Sequence, residues 1–80
     1  MEKYSDLSGN SGVSEFEIGD DYIKVKFKKT PKKIYLYTYN SSGKDNIEEM
    51  KKLAKEKGRG LNTYINKNIK NSYEKIIDEE

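Results

Sequence analysis

The stretch YIKVKFKKTPKKIYLYTY, residues 22–39, decides how the chain folds. In its first part Ile23, Val25 and Phe27 alternate with Lys24, Lys26 and Lys28, the period of two that sends successive side chains to opposite faces of a strand. Thr30, Pro31 and Lys32 interrupt the alternation, and a proline lacking its N–H donor suits a turn better than a paired strand. Alternation resumes over residues 33–39, with Ile34 and Leu36 on one face and Tyr35, Tyr37 and Tyr39 on the other. The stretch reads as a hairpin. Its predicted inner face is Ile23, Val25, Phe27, Ile34 and Leu36; its predicted outer face is basic and aromatic.

Upstream, VSEFEI alternates over residues 13–18, placing Phe16 and Ile18 opposite Glu15 and Glu17, and Gly19, Asp20 and Asp21 supply a turn into the hairpin. A three-stranded antiparallel meander follows, about residues 13–18, 22–28 and 33–39. Downstream, Ser41, Ser42 and Gly43 end the strand pattern, and Asp45 with Glu48 has the spacing of a capping box. The predicted first helix covers about residues 45–57, with Ile47, Met50, Leu53 and Ala54 on one stripe, and Gly58 suits a left-handed helix end. A second helix is predicted over about residues 61–76, because Leu61, Tyr64, Ile65, Ile69, Tyr73, Ile76 and Ile77 recur at helical spacing. The expected fold is α+β, a β-β-β-α-α order with both helices packed on one sheet face. Residues 1–11 read as a polar tail, 12–77 as a single domain and 78–80 as an acidic end.

Eighty residues with 32% hydrophobic content leave little to spare for a core, so a homodimer that buries more surface is one expectation. The chain has no Cys and no His. It therefore lacks disulfides, the usual zinc ligands, a neutral-pH imidazole base and the Ser-His or Cys-His nucleophile pairs. No segment approaches a membrane span, and the first residues lack the apolar run of a signal peptide, so a cytoplasmic protein without membrane contact is expected. The net charge of +2 is unevenly spread: −5 over residues 1–23, +10 over residues 24–75 and −3 over residues 76–80. A basic body with acidic flanks is the footprint of a nucleic-acid binder. A lysine-rich solvated surface of no binding consequence has the same composition.

Three local motifs give a family resemblance. Ser11, Gly12 and Val13 lead into Phe16; Ile23, Val25 and Phe27 lead into a Tyr-x-Tyr pair, either Tyr35 and Tyr37 or Tyr37 and Tyr39; and Lys57, Gly58 and Arg59 precede Leu61, Asn62 and Ile65. In these residues, over roughly residues 11–73, the chain resembles the KTSC domain, a short domain found as small standalone bacterial proteins and at the C-terminus of some lysyl-tRNA synthetases. It departs from that family where a Val-Pro step is common, having Ser41, Ser42 and Gly43 instead. The resemblance implies a small α+β domain for which RNA binding has been suggested and no activity is settled.

Two constellations are candidates for binding. On the outer sheet face Lys24, Lys26, Lys28 and Lys33 would lie beside Tyr35, Tyr37 and Tyr39, combining charges that attract phosphate with rings on which unpaired bases stack. Glu15 and Glu17 on the neighbouring strand can pair with those lysines, and tyrosines also serve strands as ordinary packing. The second candidate is the turn Lys57, Gly58, Arg59 and Gly60, whose cations and free amides could hold a phosphate at a helix start. Paired acids such as Glu48 and Glu49 have no predicted apolar enclosure to adjust a proton affinity, so no catalysis and no cofactor are expected. The resulting expectation is a non-catalytic domain that binds RNA or single-stranded nucleic acid weakly through a Lys/Tyr face. The alternative is a protein-interaction or homo-oligomerisation module using an edge strand or the tyrosine face.

Overall fold

A computed structural model describes residues 2–3, 12–55, 60–69 and 71–78. The chain is a small α+β protein with one antiparallel sheet. Strands run in spatial order β1 (Glu2–Lys3), β2 (Val13–Ile18), β3 (Tyr22–Phe27), β4 (Lys33–Thr38) and β5 (Lys75–Asp78). Between β4 and β5 lie α1 (Tyr39–Ser42), α2 (Lys44–Lys55), α3 (Leu61–Tyr64) and a π-helical turn over Ile65–Ile69 that continues from α3.

Strands β2 and β3 form where the sequence alternates most cleanly. Phe16 pairs with Val25 and Ile18 with Ile23, so the aliphatic residues of both strands share one face. Ser14 is the extra residue of a bulge between Val13 and Glu15, and its hydroxyl donates to the Lys26 carbonyl at 3.1 Å. Gly43 (φ +87°) and Gly60 (φ +97°) occupy backbone conformations that a Cβ disfavours, ending α1 and opening α3 respectively.

Strand β4 corrects the predicted face assignment. Ile23 pairs with Tyr37 and Val25 with Tyr35, so Tyr35 and Tyr37 join the aliphatic face, and Tyr37 is 1% exposed. Ile34 and Leu36 turn to the other face, flanked by Lys26 and Lys24 of β3. Both sets in β4 are apolar enough to be covered, so alternation alone could not say which faces inward; a shift of one residue in register exchanges them. Tyr39 is not in the strand at all. Thr38 caps α1, its hydroxyl accepting from the Ser41 N–H at 3.0 Å while Ser41 Oγ accepts from the Thr38 N–H.

The capping box is thus at Thr38–Ser41 and not at Asp45 and Glu48. Helix α2 begins at Lys44 behind Gly43, with Ile47, Met50 and Ala54 buried against the sheet. The predicted end of this helix at residue 57, and Gly58 itself, lie outside the described residues.

The second predicted helix is also corrected. It stops at Ile69, and residues 75–78 form β5, the fourth strand of four or more residues, antiparallel to β4. Leu61, Ile65 and Ile69 are all buried at a strict spacing of four. That spacing exceeds the 3.6 residues of an α-turn and fits the wider winding of the π segment. Ile76 and Ile77 then go to opposite faces, beside Tyr35 and Ile34 respectively. Adjacent β-branched residues favour this arrangement, and it covers the edge that β4 would otherwise expose. The Glu74 N–H donates to the Leu36 carbonyl at 2.6 Å, and Ser42 Oγ donates to the Ser72 carbonyl at 2.7 Å, fixing the approach to β5.

One core results, between the aliphatic-aromatic sheet face and the helical layer. Among the described residues, no helix is long and apolar enough to cross a membrane.

Candidate functional site: a tyrosine and asparagine cavity beside a lysine-rich turn

At the end of the core nearest the β3–β4 turn, sheet and helices do not close on each other, leaving a cavity of about 340 Å³. The sheet supplies Phe27, Tyr35 and Tyr37, and the turn supplies Lys29 and Thr30. Asn62, Ile65 and Asn66 line it from the helical side; Asn71 and Tyr73 come from the connection into β5. Gly12 completes the wall. A Cβ there would stand 3.0 Å from Asn62 Oδ1, so the glycine lets the asparagine lie close to the backbone.

The aromatic rings support each other edge to face and at a tilt. Phe27 and Tyr35 have centroids 5.1 Å apart at 84°, Tyr35 and Tyr73 lie 5.2 Å apart at 53°, and Tyr37 and Tyr73 lie 6.3 Å apart at 60°. Burial first, and then the neighbouring phenols of Tyr35 and Tyr73, push the Tyr37 hydroxyl well above the ordinary phenol range. It stays a neutral O–H. Among the described residues, Lys29 is the only charged one in the lining, and Thr30 Oγ1 is buried with no hydrogen-bond partner.

Hydrogen bonding separates these groups from several of their counterparts elsewhere, though exposed Asn40 in α1 also makes no side-chain hydrogen bond to a described residue. Away from the cavity, Tyr22, Tyr39 and Tyr64 donate to Glu17, Glu48 and Asn46. Asn46 and Asn68 donate to the Ser42 and Tyr64 carbonyls. Within it, the hydroxyls of Tyr35, Tyr37 and Tyr73 and the amides of Asn62, Asn66 and Asn71 make no side-chain hydrogen bond to another described residue.

The predicted site residues divide into four groups. Lys24 and Lys26 lie on the outer sheet face, opposite Tyr35 and Tyr37, so the predicted Lys/Tyr face is not assembled. Its charges are also largely matched: Lys24 stands 3.5 Å from Glu17, Lys33 stands 3.3 Å from Asp78, and Lys26 lies across from Glu15 and is engaged as well. Tyr39, in α1, donates to Glu48 at 2.6 Å beneath Lys51, whose Nζ is 5.4 Å from its ring. The Tyr39 hydrogen bond, then Lys51, hold the Glu48 carboxyl below its ordinary value, the signature of a structural triad. Lys28 is exposed at the β3–β4 turn with Lys29 and Lys32, and none of the three has an ion-pair partner among the described residues. Lys57 and Arg59 lie outside the described residues.

Sequence reasoning named Tyr35 and Tyr37 but put them on the wrong face, and it missed Thr30, Asn66, Asn71 and Tyr73 as neighbours. Asn62 and Asn66, four apart in a helical segment, carried a signal for a shared face. Asn71 carried none.

No family model matches the chain, and no curated protein or solved structure matches it either.

Proposed function

We propose that this protein is a non-catalytic domain that binds RNA or single-stranded nucleic acid weakly, at the β3–β4 turn instead of the outer sheet face. The observation that carries this reading is the group of exposed lysines Lys28, Lys29 and Lys32, unpaired among the described residues and sharing the turn whose Lys29 and Thr30 line the tyrosine-lined cavity. Cations free of carboxylates are available to displace counterions from a phosphate backbone, whereas Lys24 and Lys33 already face acids. The KTSC resemblance points the same way: Gly12, Phe27, Tyr35, Tyr37, Asn62 and Ile65, all quoted for it, meet at this one cavity.

The test is a fluorescence anisotropy titration of a labelled single-stranded oligonucleotide over a range of salt. Affinity should fall with salt, and replacing Lys28, Lys29 and Lys32 by Gln should reduce the magnitude of the log-log slope by about 2, each single-strand phosphate contact being worth roughly 0.7. An absence of binding at low salt, or an unchanged slope in the triple variant, overturns the reading.

One observation favours a second reading, a self-association module. Strand β5 is a sheet edge and Ile76 on it is 38% exposed, so two copies could pair edge to edge. Sedimentation that stays monomeric at high concentration removes it. The tyrosine face offers no such surface, because Tyr37 is buried within one chain.

A further inference from the structure

We infer that the cavity lined by Tyr35, Tyr37, Tyr73, Asn62, Asn66 and Asn71 takes one unstacked nucleobase from a strand whose phosphates lie along the lysines of the β3–β4 turn. The inference rests on the nucleic-acid reading above and gives it a specific site. Three observations carry it, the first being size and shape. At about 340 Å³ the cavity lies at the lower end of the roughly 300–1,000 Å³ span of small-ligand pockets, and its walls are flat rings fixed by contact with one another. A planar group the size of a base fits that space better than a chain or a folded peptide.

The second is hydrogen-bonding capacity. A side-chain amide offers a donor pair and an acceptor side by side, the combination needed at the edge of a base, which presents both kinds of group within a few ångströms. Here three such amides converge, and none is engaged with another described residue, while Asn46 and Asn68 outside the cavity are engaged with backbone carbonyls. The phenol hydroxyls divide in the same way. Exposed Asn40 in α1 is likewise without a side-chain partner among the described residues, so what distinguishes the cavity is that three such amides and three phenols meet at one place, where a single polar ligand can engage several of them together.

The third is charge. Among the described residues no carboxylate lines the cavity, which does not favour a cation, and Lys29 belongs both to its lining and to the lysine cluster of the turn. A neutral ring attached to an anionic backbone satisfies both parts at once. A free neutral ring would use only the cavity, and an anion alone only the turn.

The experiment compares a labelled eight-residue oligouridylate with an abasic oligomer of the same length and charge, at low salt, by anisotropy. The wild-type protein should bind the intact strand about tenfold or more tightly than the abasic one. Asn66→Ala/Asn71→Ala, which truncates two exposed amides and should melt within a few degrees of wild type, should remove most of that difference while leaving abasic binding unchanged. Side-chain amide resonances of the three asparagines should shift with the intact strand and not with the abasic one. Equal affinity for both oligomers in the wild type overturns the base pocket and leaves the lysine turn as a purely electrostatic site. Equal weakening of both by the double variant overturns the pocket in the same way. Failure of both oligomers to bind overturns the pocket together with the nucleic-acid reading it rests on.

Discussion

Thr30 Oγ1 and the Tyr37 hydroxyl lie on the same cavity wall and have different energetic consequences. Enclosing an oxygen without a hydrogen-bond partner costs its lost hydration and returns nothing. Thr30→Val keeps the branched shape and removes that oxygen, so it should stabilise the protein by about 1 kcal/mol in urea denaturation; a loss of stability would mean that the hydroxyl does find a partner. Tyr37 acts through pH. Its folded value is raised from the ordinary 10.0, so the fold prefers the neutral phenol, and the preference contributes fully below about pH 10. Above that, the unfolded chain releases its proton first and stability declines as pH climbs towards the folded value. Circular dichroism should therefore show unfolding in alkali that begins above about pH 10 and is delayed in Tyr37→Phe, which keeps the ring and has nothing to ionise.

Among the elements, β5 distinguishes what the sequence discloses from what only packing decides. Ile77 is half-buried on the outer face beside Ile34, whereas Ile76 is an exposed edge residue. Ile77→Ala should cost about 1–2 kcal/mol, below the roughly 2–5 of a fully buried site, and Ile76→Ala about 0.5 or less. Equal effects would indicate that the strand is paired one residue out of this register. Strands β2 and β3 were legible because Glu and Lys alternate there with Phe, Ile and Val, leaving one choice of inner face. Helix α2 was legible from Ile47, Met50 and Ala54. Strand β4 offered two apolar faces, Ile34 and Leu36 against Tyr35 and Tyr37, and only its partners on both sides decide between them. Residues 73–77 fit a helical period as well as a strand, and the free edge of β4, a fact of tertiary structure, selects the strand. The cavity was legible in its tyrosines but not in its shape, since Asn71 reaches it only because β5 returns to the sheet.

At the scale of the molecule the two sheet faces have separate roles. The outer face matches Lys24 with Glu17, Lys33 meets Asp78 on the opposite side at the sheet's edge, and the cavity end keeps together lysines, phenols and amides that have no side-chain partner among the described residues. A sheet that neutralises its broad face concentrates any anion attraction at one tip. That geometry accounts for an expected salt slope of only a few units. The placement of β5 also has a bearing on time. Lys33 and Asp78 meet across 45 residues of chain, while the β2–β3–β4 meander closes through short turns. Closing the longer loop is entropically slower to repay, so the last strand should dock after the barrier to folding is crossed. Stopped-flow kinetics of Ile77→Ala should accordingly show faster unfolding with nearly unchanged folding, which makes the final strand a determinant of how long the molecule stays folded and not of how quickly it gets there.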